Sequence, residues 1–169
     1  MQKNNPNAPN IPGKLIEPGQ RNLRNARRFW NLALAQLGAI RCVYSGETLD
    51  AVSSLDHFLP WSFVAHDLLW NIIPTSKSVN SAKKDQLPQI SRYFDAFAHL
   101  QYQALQVVVT AGPESLLEDY TLLLKAESVS DIRTQSFDFF RDVLRDTIAP
   151  QMQIAKNMGF VADWSYLSQ

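Results

Sequence analysis

The sequence predicts an α+β fold that is mostly helical, with a small strand-containing core between helical segments. Helical periodicity is present from about residue 22 to 37, is lost between residues 40 and 88, and returns after Pro88. The chain has 169 residues, of which 46% are hydrophobic and 19% charged. This length and composition are typical of a single globular domain, with room for a short appendage.

Composition also narrows the classes of protein that fit. Residues 1–20 lack the apolar run of a signal peptide, and no window approaches the roughly 18 apolar residues of a membrane span. We therefore expect a cytoplasmic location and no membrane partner. The single cysteine, Cys42, excludes an intrachain disulfide and cannot by itself form a Cys-rich zinc site.

The formal net charge is zero, but charge is distributed unevenly along the chain. Residues 1–45 contain seven Lys and Arg against the single acid Glu17, whereas residues 113–169 contain five against nine acids. Such asymmetry indicates a polyanion partner on one side of the molecule.

The N-terminal part divides into a tail and a helix. Residues 1–20 contain four prolines and are interpreted as an extended tail or linker. Residues 21–39 form the predicted N-terminal basic helix, with Arg21, Arg24 and Arg28 on one face. That face is either a solvated surface or a phosphate-contacting one.

Residues 40–88 predict the order strand, loop, strand, helix. Pro60 and Pro74 are expected to end the two strands, because proline cannot donate to a sheet ladder. The polar run after Pro74 predicts a short helix, with Ser76 or Ser78 as N-cap.

Residues 89–169 predict a helical region that packs on this core. A long helix is expected from about Ile90 to Thr110 and another from 131 to 148, with Pro150 separating it from a short helix that ends at Gly159. The aromatic stripes of these helices are interpreted as core. The net acidic surface of the region is also a candidate interface for a homodimer or a targeting subunit.

The central stretch "DHFLPWSFVAHDLLWNIIPTSKSVNSAKKDQLP" carries the candidate chemistry. His57 has a side chain suited to take a proton from water near neutral pH, and the adjacent carboxylate of Asp56 suits a hard divalent cation. Neighbouring strand residues point to opposite faces, so both serve one site only if the strand ends or bends there.

Amides and lysines follow these two residues. Asn71 and Asn80 supply groups that complete a metal shell or pin a loop, and Lys83 and Lys84 are candidates to face a substrate phosphate. Each of these residues taken alone also has an ordinary structural explanation, as a turn, a cap or a solvated charge. His66 and His99 are interpreted as packing or surface residues.

Taken together, Asp56-His57, Pro60, Asn71, Asn80, Lys83 and Asp85 closely resemble the HNH nuclease motif and its ββα-metal fold. The preceding "CVYSGETL" resembles the turn that opens many such domains. The resemblance covers about residues 40–88.

The resemblance implies a role for each matching position. His57 would be the general base, Asp56 and Asn80 the metal ligands, Asn71 the residue that orients the histidine-bearing loop, and Lys83 an accessory lysine at the catalytic site. It implies Mg²⁺ or Mn²⁺ as cofactor and one-metal hydrolysis of DNA phosphodiester bonds, with RNA as the alternative substrate. Restriction and phage defence are among the roles the family performs.

The sequence departs from the family at the structural zinc site. Many HNH domains carry two Cys-x-x-Cys pairs, whereas here the corresponding positions are Cys42 and Ser45, then Ser76 and Val79. No structural zinc is expected, and packing of Tyr44, Phe58, Trp61 and Trp70 is expected to replace it. This loss supports the alternative of a catalytically vestigial module that binds nucleic acid or a partner.

Overall fold

The computed structural model describes residues 20–167, so residues 1–19 of the predicted tail (1–20) lie outside the described part. The elements in chain order are helix α1 (Arg24–Leu37), strands β1 (Ile40–Arg41), β2 (Thr48–Leu49) and β3 (Ser54–His57), helix α2 (Trp61–Val64), strand β4 (Ile72–Thr75), and helices α3 (Lys77–Lys83), α4 (Ile90–Ala111), α5 (Glu118–Leu124), α6 (Val129–Thr134) and α7 (Phe137–Asn157). Short 3₁₀ turns precede β4 and α5. The α+β, mostly helical prediction is confirmed. No helix in residues 20–167 has the length and apolarity required to cross a membrane.

The strands form two antiparallel hairpins. β1 pairs with β2, and β3 pairs with β4 so that Asp56 lies opposite Ile73 and His57 opposite Ile72. Helix α3 follows β4 directly and contacts β3. Ser76 is its N-cap and accepts the backbone N–H of Val79, as the sequence indicated. The predicted strand, loop, strand, helix order is present at β3, β4 and α3.

Pro74 does not end its strand, contrary to the sequence prediction. β4 continues to Thr75, and Pro74 lies opposite Leu55. The N–H of Phe58 donates to the carbonyl of Asn71, so these two residues form a hydrogen-bonded pair that continues the ladder of β3 and β4. By alternation, Leu55 and Pro74 form a non-hydrogen-bonded pair, so the missing N–H of proline is not required there.

The long helices surround the hairpin. α4 packs against both α1 and α7, and the predicted helices at about 22–37 and 90–110 are confirmed within two residues. Pro150 does not break the last helix, because α7 runs through it to Asn157. The prediction of two separate helices there was wrong. Proline costs an intrahelical hydrogen bond, but the buried face of α7, which includes Ile148 and Met152 on either side of Pro150, keeps the helix continuous.

Side-chain hydrogen bonds attach the helices to the start of β4. The indole N–H of Trp30 and the amide of Gln101 both donate to the carbonyl of Ile72, at 2.9 and 2.8 Å. Gln101 also donates to Leu69, and its oxygen accepts the hydroxyl of Tyr120 at 2.6 Å. These groups are buried, so each bond is made where water does not compete. Helices α1, α4 and α5 therefore hold the β-hairpin in place.

The segment after α7 returns to the end of the strand-containing core. Leu87 donates to the carbonyl of Val161 and accepts from Trp164, at 2.8 and 2.9 Å. The ring of Trp164 lies edge-on to that of Tyr44, with centroids 5.2 Å apart. Through Trp164, the C-terminal segment thus covers Tyr44, whose hydroxyl donates to Asp56 on β3.

Candidate active site

A polar cleft of about 210 Å³ lies where the end of β3 meets α3. It is lined by seven residues of functional interest: Arg21, Asp56, His57, Trp61, Asn80, Lys84 and Asp85. Asp56 and His57 both line it because β3 ends at His57 and the chain turns away at Pro60. The predicted base and the two predicted metal ligands therefore lie together.

His57 is held by an acid that sequence analysis did not single out. Its Nε2 lies 2.8 Å from Oδ1 of Asp67, and the exposed fractions of the two side chains are 5% and 17%. Asp67 lies in the loop between α2 and β4, which folds back because Phe58 pairs with Asn71. The strand, loop, strand order predicted from the sequence was the available signal for Asp67, because the return of the chain into β4 brings the middle of the loop near the end of β3.

Asp56 is engaged on the side of the site away from the cleft. Its Oδ2 accepts the hydroxyl of Tyr44 at 2.7 Å, and the ammonium of Lys83 lies 3.2 Å from each carboxylate oxygen. Burial, followed by the charge of Asp56 and its hydrogen bond, raises the pKa of the Tyr44 hydroxyl well above its ordinary value. Tyr44 is therefore a neutral donor to the carboxyl group of Asp56.

Lys83 does not occupy the place the sequence predicted for it. Its side chain is fully buried, and its ammonium donates to Asp56 and, at 2.7 Å, to the backbone carbonyl of His57. Lys83 does not line the cleft, because the turn of α3 that carries it packs against β3. Lys84, one residue later, is exposed and lines the cleft.

Asn71 is likewise buried and does not line the cleft. Its Oδ1 accepts the backbone N–H of Leu59 at 2.8 Å, and its Nδ2 donates to the carbonyl of the same residue at 3.0 Å. Asn71 therefore fixes the backbone immediately after His57. This geometry suits the loop-orienting role that the resemblance implies for Asn71, and that role stays a prediction.

Asn80 presents an oxygen rather than its nitrogen for further binding. Its Nδ2 donates to the hydroxyl of Ser54 at 2.8 Å and to the carbonyl of Leu55 at 3.2 Å. Its Oδ1 accepts no hydrogen bond within residues 20–167. The amide is thus oriented by β3 with its acceptor unused.

These donors fit a hard divalent cation. An ionised carboxylate has about four lone-pair positions, and the contacts of Asp56 with Tyr44 and Lys83 take about three of them. One lone-pair position on Asp56 and the amide oxygen of Asn80 remain. Two protein ligands fit Mg²⁺, because this ion usually keeps several waters and binds phosphate oxygens at its other coordination positions. Within residues 20–167 no cluster of three or more His, Cys, Asp or Glu side chains suits a metal, so a cage built from such side chains alone is absent.

The positions of the family's zinc ligands have other uses here. Cys42 is buried with its Sγ 3.6 Å from the hydroxyl of Thr75, Ser76 caps α3, and Val79 is in the core. Tyr44 and Phe58 stack with centroids 6.5 Å apart, and Phe58 stacks on Phe97 at 4.1 Å. The absence of structural zinc stays a prediction, which elemental analysis of purified protein tests.

Basic side chains lie at and before the start of α1, but Arg21 precedes the helix and does not share its face with Arg24 and Arg28 as the sequence predicted. Arg21 stacks on the ring of Trp61 at the cleft, with its guanidinium carbon 5.1 Å from the ring centroid. Arg24, Arg27 and Arg28 line a separate groove of about 640 Å³, and all three are exposed. The two remaining histidines do not line the cleft: His66 is half-buried in the α2–β4 loop, and His99 is exposed on α4.

Comparison with known proteins identifies the same segment. Residues 42–89 match the family model described as HNH endonuclease. No curated protein and no solved structure gives a significant match. The matched segment runs from Cys42 in the first hairpin through the cleft residues and α3, so it contains Asp56, His57 and Asn80.

Proposed function

Since residues 42–89 of this chain belong to the HNH endonuclease family, we propose that it is a metal-dependent endonuclease that hydrolyses DNA phosphodiester bonds, with His57 as general base. The observation that carries the proposal is the shared cleft of His57, Asp56 and Asn80. A nuclease-family chain with an intact base and two oxygen ligands at one cleft has the groups that this reaction requires.

His57 supplies the base. Its imidazole takes a proton from water, the resulting hydroxide oxygen bonds to phosphorus, and the bond from phosphorus to the leaving oxygen breaks. The leaving oxygen then acquires a proton from solvent. His57 returns its own proton to water, so the residue is regenerated.

Asp56 and Asn80 would hold the divalent cation, through one carboxylate position and one amide oxygen. When bound, Mg²⁺ or Mn²⁺ supplies positive charge that neutralises the phosphate and the leaving oxygen. Lys83 keeps Asp56 in place from beneath rather than contacting the substrate.

Arginine and lysine side chains provide the nucleic-acid surface. Arg21 and Lys84 line the cleft beside the proposed catalytic groups, and the exposed arginines of α1 extend the positive charge away from it. Contacts of this kind bind the phosphate backbone without reading sequence. Sequence specificity then comes from a targeting partner or is weak. A cytoplasmic role in restriction or phage defence belongs to the same proposal.

The test is cleavage of supercoiled plasmid by the purified chain with Mg²⁺, Mn²⁺ or EDTA. We expect metal-dependent nicking or linearisation that His57→Ala and Asn80→Ala reduce by at least about 100-fold, the lower range for loss of a general base. The matched controls are His99→Ala and Asn157→Ala, which make the same side-chain changes at exposed sites. Equal cleavage by His57→Ala and wild type would overturn the assignment of the base.

The alternative is a vestigial module that binds nucleic acid or a partner without cutting. It predicts salt-dependent DNA binding in a titration and no cleavage of plasmid, single-stranded DNA or RNA with either metal. Light scattering on the same samples tests the proposed homodimer, and a monomer at high concentration would contradict it.

A further inference from the structure

We propose that Asp67 is a positioning residue that fixes the imidazole of His57 and leaves its Nδ1 as the proton acceptor toward the cleft. This inference deepens the proposed function, because it assigns the orientation of the base and rests on His57 being that base. It adds a residue of the α2–β4 loop to the site.

The geometry of the pair is that of a hydrogen-bonded dyad. Nε2 of His57 and Oδ1 of Asp67 are 2.8 Å apart, within the ordinary range for such a bond. His57 is 5% exposed, so its ring is enclosed and has little freedom to choose another partner. Its backbone carbonyl accepts the ammonium of Lys83, which fixes the same residue from the other side.

Asp67 is itself held in place. Its Oδ2 accepts the backbone N–H of Asn22 at 2.7 Å, and the side chain of Asn22 accepts the N–H of Arg24 at the start of α1. Each carboxylate oxygen therefore has its own donor. The acid joins the end of β3 to the entry of α1.

The ionisation of Asp67 determines which nitrogen of His57 carries the proton. Burial alone would raise the pKa of this carboxyl. The hydrogen bonds with His57 and Asn22 and the nearby charges of His57 and His66 outweigh burial, so the pKa is lowered overall. An ionised carboxylate only accepts, so Nε2 must be the donor.

The other ring nitrogen is then the base. In a neutral imidazole with its proton on Nε2, the lone pair lies on Nδ1. Nδ1 of His57 has no hydrogen-bond partner within residues 20–167, and His57 lines the cleft. The arrangement parallels the acid–histidine pairing of hydrolases, in which the acid fixes tautomer and orientation without itself taking the proton.

The first test is spectroscopic and needs no activity. In protein labelled with ¹⁵N-histidine there are three imidazoles, and His57→Gln identifies the signals of His57. At a pH where this ring is neutral, we expect protonated Nε2, unprotonated Nδ1 and a low-field Nε2 proton protected from exchange. Asp67→Asn should abolish that low-field proton, whereas Asp146→Asn, the same change at an exposed site on α7, should leave it unchanged.

The second test is kinetic. An asparagine can turn its amide nitrogen toward Nε2 and move the ring proton to Nδ1, so we expect Asp67→Asn to lower kcat by roughly 10²–10⁴-fold. The KM for plasmid DNA should stay within about threefold of wild type, because Asp67 is not among the cleft residues. A residue that acts only through folding would alter the folded fraction instead, which circular dichroism measures.

The two tests separate the failures. A wild-type chain that cuts nothing but shows the Nε2-protonated, protected ring supports the dyad and counts against the proposed function. A neutral wild-type ring with its proton on Nδ1 rather than Nε2 overturns the dyad, even if Asp67→Asn fails to fold. Unchanged His57 signals and unchanged kcat in a folded Asp67→Asn protein overturn it as well.

Discussion

The ammonium of Lys83 lies 3.2 Å from both carboxylate oxygens of Asp56, and the side-chain exposed fractions are 0% and 4%. Burial lowers the pKa of Lys83, an effect opposed by the charge and hydrogen bond of Asp56. Each buried charge of this pair therefore compensates the other. It places a proposed metal ligand on a buried support rather than at an open surface.

Lys83→Met should destabilise the protein by about 3–5 kcal/mol, because it leaves the buried carboxylate of Asp56 without its cation. Urea unfolding followed by circular dichroism measures the change. The matched control is Lys84→Met, the same substitution at an exposed neighbour, for which we expect a loss within about 0.5 kcal/mol. Equal midpoints for the two variants would contradict the prediction.

Removing both charges should cost less than removing one. In Asp56→Asn with Lys83→Met no unpaired charge is buried, so we expect the double variant to be more stable than Lys83→Met alone. A double variant that is the less stable of the two would show that packing, rather than charge, governs this position.

Asn71→Ala should lower both stability and cleavage. The substitution leaves the buried N–H and carbonyl of Leu59 without partners, and each such group costs about 1–3 kcal/mol. Since Leu59 follows His57 by two residues, we also expect kcat to fall more than KM rises. Urea unfolding and plasmid kinetics check these effects.

Asn71→Asp gives a graded comparison. It keeps the acceptor for the Leu59 N–H but loses the donor to the carbonyl, so part of the stability should remain. Asn157→Ala, an exposed amide on α7, is the control for the loss of an asparagine. A stability of Asn71→Ala equal to that control would contradict the proposed loop role.

The sequence was sufficient for the residues whose positions follow from local order. The resemblance to one motif predicted that Asp56, His57 and Asn80 serve one site, and all three line one cleft. The burial of Lys83 was not predictable, because it depends on which turn of α3 packs against β3. Propensity alone likewise indicated a helix break at Pro150, whereas the packed face of α7 keeps the helix intact.

The contact of Asp67 with His57 was also not predictable from the sequence, because it depends on the course of a loop. Neither periodicity nor a single residue type marks Asp67, and its contact with His57 arises from the course of the chain between α2 and β4. Gln101 and Tyr120 on the helices are similar, since they act on the hairpin through tertiary hydrogen bonds. Long-range polar contacts of this kind are set by the assembled fold.

The arginines of α1 should control DNA affinity through salt-dependent contacts. We expect Arg24→Glu with Arg28→Glu to weaken binding across unrelated sequences and to reduce the slope of log K against log salt by about two, roughly one per lost phosphate contact. Fluorescence anisotropy at several salt concentrations measures this. The groove they line places both side chains at the surface.

The matched control for this pair is Arg141→Glu with Arg145→Glu on α7. It changes net charge by the same amount, at residues that already pair with Asp142 and Asp95. An equal loss of affinity in both double variants would indicate a general charge effect rather than a binding face on α1.

His66 should make the folded state less stable as the pH falls from about 6.5 to 4. Burial, followed by the charge of His57, lowers the pKa of His66 to about 4, with a smaller opposing effect of Asp67. Its Nε2 is buried and has no hydrogen-bond partner among the described residues 20–167. The folded protein therefore keeps this ring neutral where the unfolded chain has already bound a proton.

The sign follows from proton binding. Between about pH 6.5 and 4 the unfolded state holds more protons at His66, so the free energy of unfolding falls as the pH is lowered and levels off below about 4. The full contribution is about 3 kcal/mol, from the difference between the two pKa values. His66→Gln should remove this component, and urea unfolding from pH 4 to 7 measures it.

His99→Gln, at an exposed histidine, is the matched control, and the contribution of His66 is the difference between the two variants. Parallel stability curves for the two variants across this range would contradict the prediction, because they would mean that burial of His66 does not oppose its protonation.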